Sequence, residues 1–261
     1  ALGKRLENAR ALYIEGIRDC NYVEAIHKYA GERYTQHSTP VKDGKEGFIE
    51  FFADFVERNP DRDIEIVRGF EDGQYVFLHA VQHLNGGESR WVTADIFDTD
   101  DQARMIEHWD IISEWVDETV SGHTQTDGPT EPTDLDKTEE NKALVARFVS
   151  EVLKDGELAR LPDFISTEMY VQHNPQVGDG LEGLGDFVES LRRQGATMRY
   201  EEIHNVVGCG SFVAVLSKMD LAGTKMAVID LFRVEDGLIV EHWDVMEEIL
   251  PKDQWVNSGK F

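Results

Sequence analysis

The chain has 261 residues, 41% of them hydrophobic, which suffices for two domains but is too polar for a membrane protein. Asp and Glu number 51 against 26 Lys and Arg, so the net charge is −25. This charge repels polyanions and makes nucleic acid and anionic membrane surfaces poor partners. Such an acidic surplus is typical of halophilic proteins, although an ordinary acidic soluble protein fits as well.

Apolar spacing in the first part of the chain predicts helices followed by strands. Leu6, Leu12 and Ile17 follow helical spacing. A second helix follows Asn21, a suitable cap, and the phenylalanines between 48 and 55 indicate a third. Extended runs then cover residues 64–67, 75–84, 91–97 and 105–115.

The second part of the chain repeats this succession. Helical patterns cover residues 143–153, 158–164 and 184–191. Strand patterns cover residues 200–207, 212–221, 227–234 and 238–249. The triplets at 71–73 and 235–237 are typical of hairpin turns. Helices first and strands afterwards predict an α+β fold, with helices on one face of a mostly antiparallel sheet.

An internal repeat underlies this similarity. Four short blocks recur in the same order at a nearly constant offset, with small differences in loop length. They are residues 34–37 with 170–173, 43–47 with 179–183, 94–97 with 229–232, and 107–111 with 241–245. The pattern indicates a duplicated domain.

The repeat and the composition together set the domain boundaries. Residues 121–134 are rich in Thr, Gly, Pro and Asp and have almost no apolar side chain, which favours a linker. We expect a first domain at 1–118, an acidic linker at 119–137, a second domain at 138–250 and a tail at 251–261.

Cysteine usage and hydropathy point to a cytoplasmic protein. Cys20 and Cys209 are the only cysteines, one in each half, so no disulfide framework is expected. No segment approaches 18 uninterrupted apolar residues, and residues 1–10 have no signal-like pattern.

The sequence Glu-His-Trp-Asp occurs once in each copy, within a predicted strand. Alternation along a strand places His108 and Asp110 on one face, and likewise His242 and Asp244. If that face lies under the helices, each copy holds an imidazole beside a carboxylate, an arrangement suited to proton transfer. Alternatively, the tryptophan face is packed and the His/Asp face is solvated, or the pair is a structural hydrogen bond.

Asp95 and Asp230 are single acids within apolar runs. A carboxylate there is costly unless it is paired or functional. On a strand next to Glu-His-Trp-Asp, each would add a second carboxyl to the site, and proximity would push the two pKa values apart. A structural aspartate that bonds the backbone at a bulge is the alternative.

The repeated Tyr-x-Gln-His block supplies the candidate substrate contacts. These residues are Tyr34, Gln36, His37, Tyr170, Gln172 and His173. Gln and His adjoin on the chain, so both reach one pocket only if the backbone bends. Substrate positioning and a turn-stabilising hydrogen bond remain equal alternatives.

We expect no metal and no cofactor. His79 and His83 occur in the first copy only and could join Asp95 and His108, but no ligand motif of recognised spacing supports a metal site. The glycine pairs do not follow a strand and open a helix, which argues against a nucleotide site.

Several blocks resemble the SnoaL-like polyketide cyclase family of the nuclear-transport-factor-2-like superfamily. They are residues 170–175, 180–183, 229–237 and 239–245, and the first copy matches less tightly. The resemblance implies two tandem cone-shaped domains, each with about three helices on a curved sheet around an apolar pocket. It further implies that the copies pair as a covalent pseudo-dimer.

The resemblance also implies cofactor-free aldol-type chemistry with Asp244 or Asp110 as the acid/base. Asp230 with His242, and Asp95 with His108, would line the pockets. The first copy departs from the family pattern at residues 38–39, 98 and 100–102. We therefore expect an acid/base enzyme acting on a small carbonyl compound; a noncatalytic pocket for an apolar metabolite and a structural pseudo-dimer are the alternatives.

Overall fold

The computed structural model describes residues 3–261, so the first two residues of the predicted first domain lie outside this range. The described chain forms two compact units. The first contains the residues through Trp115 together with Leu250–Phe261, and the second contains Val116–Ile249. Within residues 3–261, no helix combines the length and the apolar character that crossing a bilayer requires.

The first unit places its helices before most of its strands, as predicted. Its helices are α1 (Lys4–Tyr13), α2 (Tyr22–Tyr29) and α3 (Gly44–Arg58), and its strands are β1 (Ala30–Gln36), β2 (Arg62–Asp72), β3 (Tyr75–Leu84), β4 (Ser89–Thr99) and β5 (Met105–Glu114). A wider turn of π type at Ile14–Arg18 continues α1. The sheet order is β1-β5-β4-β3-β2, and only the β1–β5 pair is parallel.

The second unit repeats this architecture. Its helices are α4 (Thr138–Arg147), α5 (Leu161–Phe164) and α6 (Gly180–Arg193), and its strands are β6 (Val171–Gln172), β7 (Met198–Cys209), β8 (Phe212–Leu221), β9 (Thr224–Glu235) and β10 (Leu238–Glu248). The order β6-β10-β9-β8-β7 matches that of the first sheet. The predicted α+β class and its duplication are confirmed.

Helices cover one face of each sheet because their apolar stripes pack there. In the first unit, Leu12, Ile26 and Phe48 from three helices join Leu78 of β3 in one core cluster. In the second, Val149 and Phe164 pack with Val215 and Phe232. The buried helix-covered face of each sheet is where any enclosed pocket must lie.

The repeated Asp-Gly-x-Glu-Gly block is explained by a close backbone crossing at the start of α3 and α6. A Cβ on Gly47 would lie 1.9 Å from the Lys42 carbonyl oxygen, and a Cβ on Gly183 would lie 2.0 Å from that of Gly178. Only glycine allows this approach. The block therefore fixes where each helix begins relative to the loop that precedes it.

Strand β1 is the main element that the apolar pattern did not predict. Its burial alternates irregularly, and it pairs with β5 in parallel with a register shift between Ala30 and Thr35. A period-two pattern requires regular alternation, which a shifted edge strand lacks. The predicted hairpins do occur, with Gly73 and Gly237 at positive φ in the turns.

Candidate active site

Sheet register brings the predicted acids together. Asp95 of β4 pairs directly with Asp110 of β5, and Asp230 of β9 pairs with Asp244 of β10. Side chains of directly opposed residues lie on the same face of the sheet. All four carboxyls are buried, Asp95 and Asp230 to 1% exposure.

In the first unit, one imidazole joins the acidic pair to a tyrosine. His108 Nε2 lies 2.7 Å from Asp95 Oδ1 and 3.0 Å from the Tyr13 hydroxyl. Tyr13 also donates a short hydrogen bond to Asp95. Helix α1 supplies Tyr13, which places the cluster on the helix-covered face.

The second unit builds the same cluster with a different tyrosine. His242 Nε2 lies 2.7 Å from Asp230 Oδ1, and Tyr200 of β7 donates to Asp230 Oδ2 at 2.6 Å. His242 Nε2 is 3.8 Å from Asp244 Oδ2. Each histidine therefore lies between two carboxyls.

The glutamines of the Tyr-x-Gln-His block fix the protonation of these histidines. Gln36 Oε1 accepts from the backbone N–H groups of His37 and Ser38, so its oxygen, not its nitrogen, faces His108 Nδ1 at 2.7 Å. An acceptor at that place requires a proton on Nδ1. Gln172 repeats this arrangement. Nε2 is thus the nitrogen that faces the acids.

The loop aspartates of the Asp-Gly block hold these glutamines in place. The Gln36 backbone N–H donates to Asp43 Oδ1 at 2.7 Å, and that of Gln172 donates to Asp179 Oδ1 at 2.8 Å. Two repeated motifs that are separate in sequence thereby form one support for the imidazole.

The two units differ in the partner of the acid on the last strand. Asn174 Nδ2 donates to both oxygens of Asp244, at 3.1 and 2.8 Å. In the first unit, Lys260 Nζ from the tail donates to the Asp110 backbone oxygen at 2.6 Å and lies 3.4 Å from Oδ1. Asp244 therefore accepts from a neutral amide, whereas Asp110 lies beside a charged ammonium.

Burial and neighbouring charges raise pKa values in both clusters. Burial raises the pKa of Asp244 to about 6; the Asp230 charge adds to this, while His242 and the Asn174 hydrogen bond oppose it. Burial alone would lower the pKa of His242, but its hydrogen bond to Asp230 and the charges of Asp244 and Asp230 raise it. In the first unit, burial raises the pKa of Asp95 against the opposing effect of His108.

Two further tyrosines remain protonated phenols at these sites. Burial and the nearby carboxylates raise the pKa of Tyr34 well above its usual value, and they act on Tyr170 in the same way. Their rings stack on His108 and His242, with centroids 6.3 and 6.4 Å apart. Both can donate a proton in a hydrogen bond at neutral pH.

A cavity of about 120 Å³ opens beside the first cluster. Helix α3 lines one side with Phe48, Phe51, Phe52 and Phe55. Polar and further apolar groups complete the wall: Tyr13, Ile17, Tyr34, Gln36, Ser38, Pro40, Val41, Gln82, Thr93, Asp95, His108, Asp110 and Ile112. In the first unit, the predicted His/Asp face thus borders a cavity with a largely apolar wall.

His37 and His173 do not join the clusters. His173 stacks on Trp243, and its Nε2 lies 2.6 Å from Glu241 Oε2. His37 stacks on Trp109 in the same way and bonds Glu107. Glu and Trp alternate with His and Asp along the last strand, so His37 and His173 lie on the face opposite the His/Asp pair.

A scan against protein families matches residues 11–108 and 145–242 to the SnoaL-like domain. The chain belongs to the SnoaL-like domain family. The resemblance predicted from the repeated blocks is confirmed. Each matched region ends at the histidine of its cluster, and Asp110 and Asp244 follow two residues later.

Solved structures with a similar fold each cover less than half of the chain. A candidate polyketide cyclase from Bacillus cereus is 18% identical (42% of this chain, 74% of that chain, TM-score 0.38). A candidate ketosteroid isomerase from Kribbella flavida is 15% identical (44% and 83%, TM-score 0.37). An epoxide hydrolase of the LEH-like type from M. tuberculosis is 22% identical (42% and 85%, TM-score 0.35). No curated protein matches the chain.

Four contributors to the SnoaL-like sites were missing from the sequence predictions: Tyr13, Tyr200, Asn174 and Lys260. Tyr13 and Tyr200 come from a helix and a strand, so the repeat does not pair them. Asn174 was visible next to the Gln-His block, and its place before Pro175 was the available signal. No sequence pattern pointed to Lys260.

Each cluster contains two aspartates and one histidine whose ligand atoms lie close enough together to bind a cation. Ligand atoms of Asp95, His108 and Asp110 lie within 4.8 Å of one another, as do those of Asp230, His242 and Asp244. His79 is directed elsewhere, with Nδ1 2.7 Å from an Arg68 guanidinium nitrogen. His83 does not belong to either trio among the described residues.

Proposed function

We propose that the chain is a cofactor-independent acid/base enzyme that acts on a small carbonyl compound. One observation supports this best: a buried imidazole, with its Nδ1 proton held by a glutamine, lies between two carboxyls on the helix-covered face of each sheet. One of these carboxyls, Asp244, has a pKa raised by burial to about 6. A base whose pKa lies near the working pH transfers protons efficiently.

Asp244 acts as the base in the second unit. Its carboxylate removes a proton from the carbon next to the substrate carbonyl, and the electron pair moves onto the carbonyl oxygen to form an enolate. Return of that proton to another carbon gives isomerisation, and attack of the enolate on a second carbonyl gives an aldol product. Asn174 orients the carboxylate by donating to both of its oxygens.

Tyr170 and His242 stabilise the enolate. The raised pKa of Tyr170 keeps its phenol protonated, so it donates to the developing oxyanion instead of losing its own proton. Asp230 and Asp244 favour the charged form of His242, which places a positive charge near the reaction. Burial strengthens both interactions, because low-dielectric surroundings screen them weakly.

Asp110, His108 and Tyr34 take the corresponding roles in the first unit. The four phenylalanines of α3 give its cavity an apolar wall that excludes water from the carboxylates. At about 120 Å³, the cavity is smaller than the 150 Å³ cavity known to bind benzene, so a compact substrate fits best.

The experiment follows α-proton exchange by NMR, with a panel of small cyclic and acyclic ketones in D₂O. The unmutated chain should accelerate exchange, and the double variant Asp110→Asn/Asp244→Asn should lose that acceleration while staying folded. Asp101→Asn/Asp186→Asn, which changes two exposed acids, is the matched control. Ketones that bind without exchange, in both the unmutated chain and the double variant, would instead identify a noncatalytic binding protein.

Three sequence predictions accompany this proposal. Pairing of the two domains predicts intramolecular cross-links in a chain at high dilution. Salt adaptation predicts that unfolding becomes harder as molar KCl is added. A cytoplasmic location predicts recovery of the native chain from the cell interior by fractionation.

A further inference from the structure

We propose that Lys260 is a positioning residue of the first unit's active site: its buried ammonium holds the Asp110 carboxyl and supplies a charge that the second site receives from no lysine, so the activities of the two sites depend differently on pH. The inference rests on the proposed acid/base function. It assigns a role to a segment that lies outside both regions matched by the family.

The ammonium of Lys260 is directed at Asp110 and is buried with it. Lys260 is 4% exposed, and its Nζ lies 2.6 Å from the Asp110 backbone oxygen and 3.4 Å from Oδ1. Burying an ammonium is costly unless acceptors and an opposite charge surround it. The carboxylate and the carbonyl of one residue meet both needs.

Hydrogen bonds fix the backbone of the tail just before Lys260. The backbone N–H of Val256 donates to the Thr39 carbonyl at 3.0 Å, and Asn257 Nδ2 donates to the Ser38 and Val41 carbonyls, both at 2.7 Å. His37 Nδ1 donates to the Gly259 carbonyl at 2.6 Å. Four anchors just before Lys260 leave its side chain little freedom.

Gly259 lets the tail make its final bend toward Asp110. Its φ is +104°, and a Cβ there would lie 2.6 Å from the Trp255 ring. Any other residue would therefore be strained and would collide with the ring. The bend and the ring together direct Lys260 inward.

The second unit shows what the lysine changes. Ser38 stands where Asn174 stands in the second unit, and both oxygens of Asp244 accept from the Asn174 amide. A full charge stabilises a carboxylate more than an amide dipole does.

The titratable groups around the two carboxyls otherwise correspond. The titratable groups around Asp110 are His108, Asp95, Tyr13, Tyr34 and Lys260. The titratable groups around Asp244 are His242, Asp230, Tyr170 and Tyr200. Helix α3 adds only apolar groups to the first cavity. The ammonium is therefore the difference in charge between the two sites.

The test measures the first site alone, in a background that carries Asp244→Asn. The pH profile of α-proton exchange is compared with Lys260 intact, with Lys260→Met and with Lys260→Arg. We expect Lys260→Met to move the acid limb to higher pH by about one unit or more and to lower kcat with a small effect on KM. Lys260→Arg should keep most of the profile, and Lys252→Met controls for loss of an exposed tail lysine.

Two measurements keep a negative result interpretable. Amide exchange at Val256 reports whether the tail still docks on Thr39 in Lys260→Met. Carbon-13 NMR of labelled aspartates follows titration of the Asp110 carboxyl without any turnover, with assignment by Asp110→Asn.

A docked tail with an unchanged pH profile and an unchanged carboxyl titration would overturn the role of Lys260. A shifted titration without exchange activity in the unmutated chain would instead refute the acid/base function and retain only the electrostatic pairing. A shift in both measurements supports the full proposal.

Discussion

Gln172 Oε1 accepts hydrogen bonds from His242 Nδ1 at 2.7 Å and from two consecutive backbone N–H groups. A single oxygen thus links the end of β6 to the imidazole on β10. Because the backbone donors fix which end of the amide faces the ring, the chain itself requires a proton on His242 Nδ1.

Gln172→Leu should disable the second site without removing any acid or base. Nδ1 would lose its acceptor, and a buried N–H without a partner disfavours the charged imidazolium, whose Nε2 faces Asp230. In an Asp110→Asn background, we expect a loss of exchange activity of about 10- to 100-fold, by analogy with removal of the hydrogen-bond partner behind a metal-bound histidine. Nitrogen-15 NMR of the ring reports the protonation of both ring nitrogens directly, and the exposed Gln176→Leu is the control.

Asp244→Asn should stabilise the second unit while it abolishes activity there. The pKa of Asp244 is about 6 in the folded state, whereas an unfolded aspartate titrates near about 3.9. Folding therefore costs free energy above pH 6, and this cost disappears as the pH falls below about 4. We expect the free energy of unfolding at pH 7 to rise by on the order of 1 to 2 kcal/mol, with little change at pH 4.

Urea unfolding at the two pH values measures this, with the exposed Asp186→Asn as the matched variant. Equal stabilisation at pH 4 and pH 7 would contradict the assigned pKa shift, because a packing effect does not depend on proton uptake.

Glu241→Gln should destabilise its unit more than Glu107→Gln destabilises the other. Glu241 is 3% exposed and accepts from Arg233 at 2.9 Å and from His173 at 2.6 Å. Removing one partner of a buried ion pair costs about 3 to 5 kcal/mol. Glu107, whose side chain is 21% exposed, pairs with His37 and the half-exposed Arg33. Thermal unfolding should show the larger loss for Glu241→Gln, and equal losses would count against the burial argument.

Tyr200→Phe should cost stability by leaving one oxygen of Asp230 without its donor. The hydroxyl donates to Asp230 Oδ2 at 2.6 Å, and both groups are buried. Loss of a partner to a buried charged group costs about 1 to 3 kcal/mol. Denaturant unfolding measures the loss, and Tyr22→Phe removes a hydroxyl from a half-buried tyrosine as the control. A cost equal to that of the control would show that Asp230 does not depend on this bond.

The sequence alone predicted the parts of the site that depend on strict alternation and on the repeat. His108 and Asp110 share a face because strand geometry requires it, and their recurrence in the second copy gave independent support. Asp95 was identified because a lone acid in an apolar run needs a partner, and sheet register supplies Asp110.

Contacts between residues far apart in the sequence could not be predicted from strand alternation or from the repeat. Tyr13 reaches Asp95 from a helix 82 residues away, and Tyr200 reaches Asp230 from the far edge strand. Each copy gives the aspartate on its fourth strand a tyrosine hydroxyl, but from unrelated positions and on different oxygens. Tertiary packing determines these contacts, and an apolar pattern does not specify them.

The first unit is assembled from two stretches of chain, with the whole second unit between them in sequence. If the coding sequence were split between residues 115 and 138, the second half would keep every side chain of its cluster. The first half would lose Lys260, the counter-ion of Asp110. The first domain therefore depends on a segment from the far side of its neighbour in sequence, whereas the second needs no such donation.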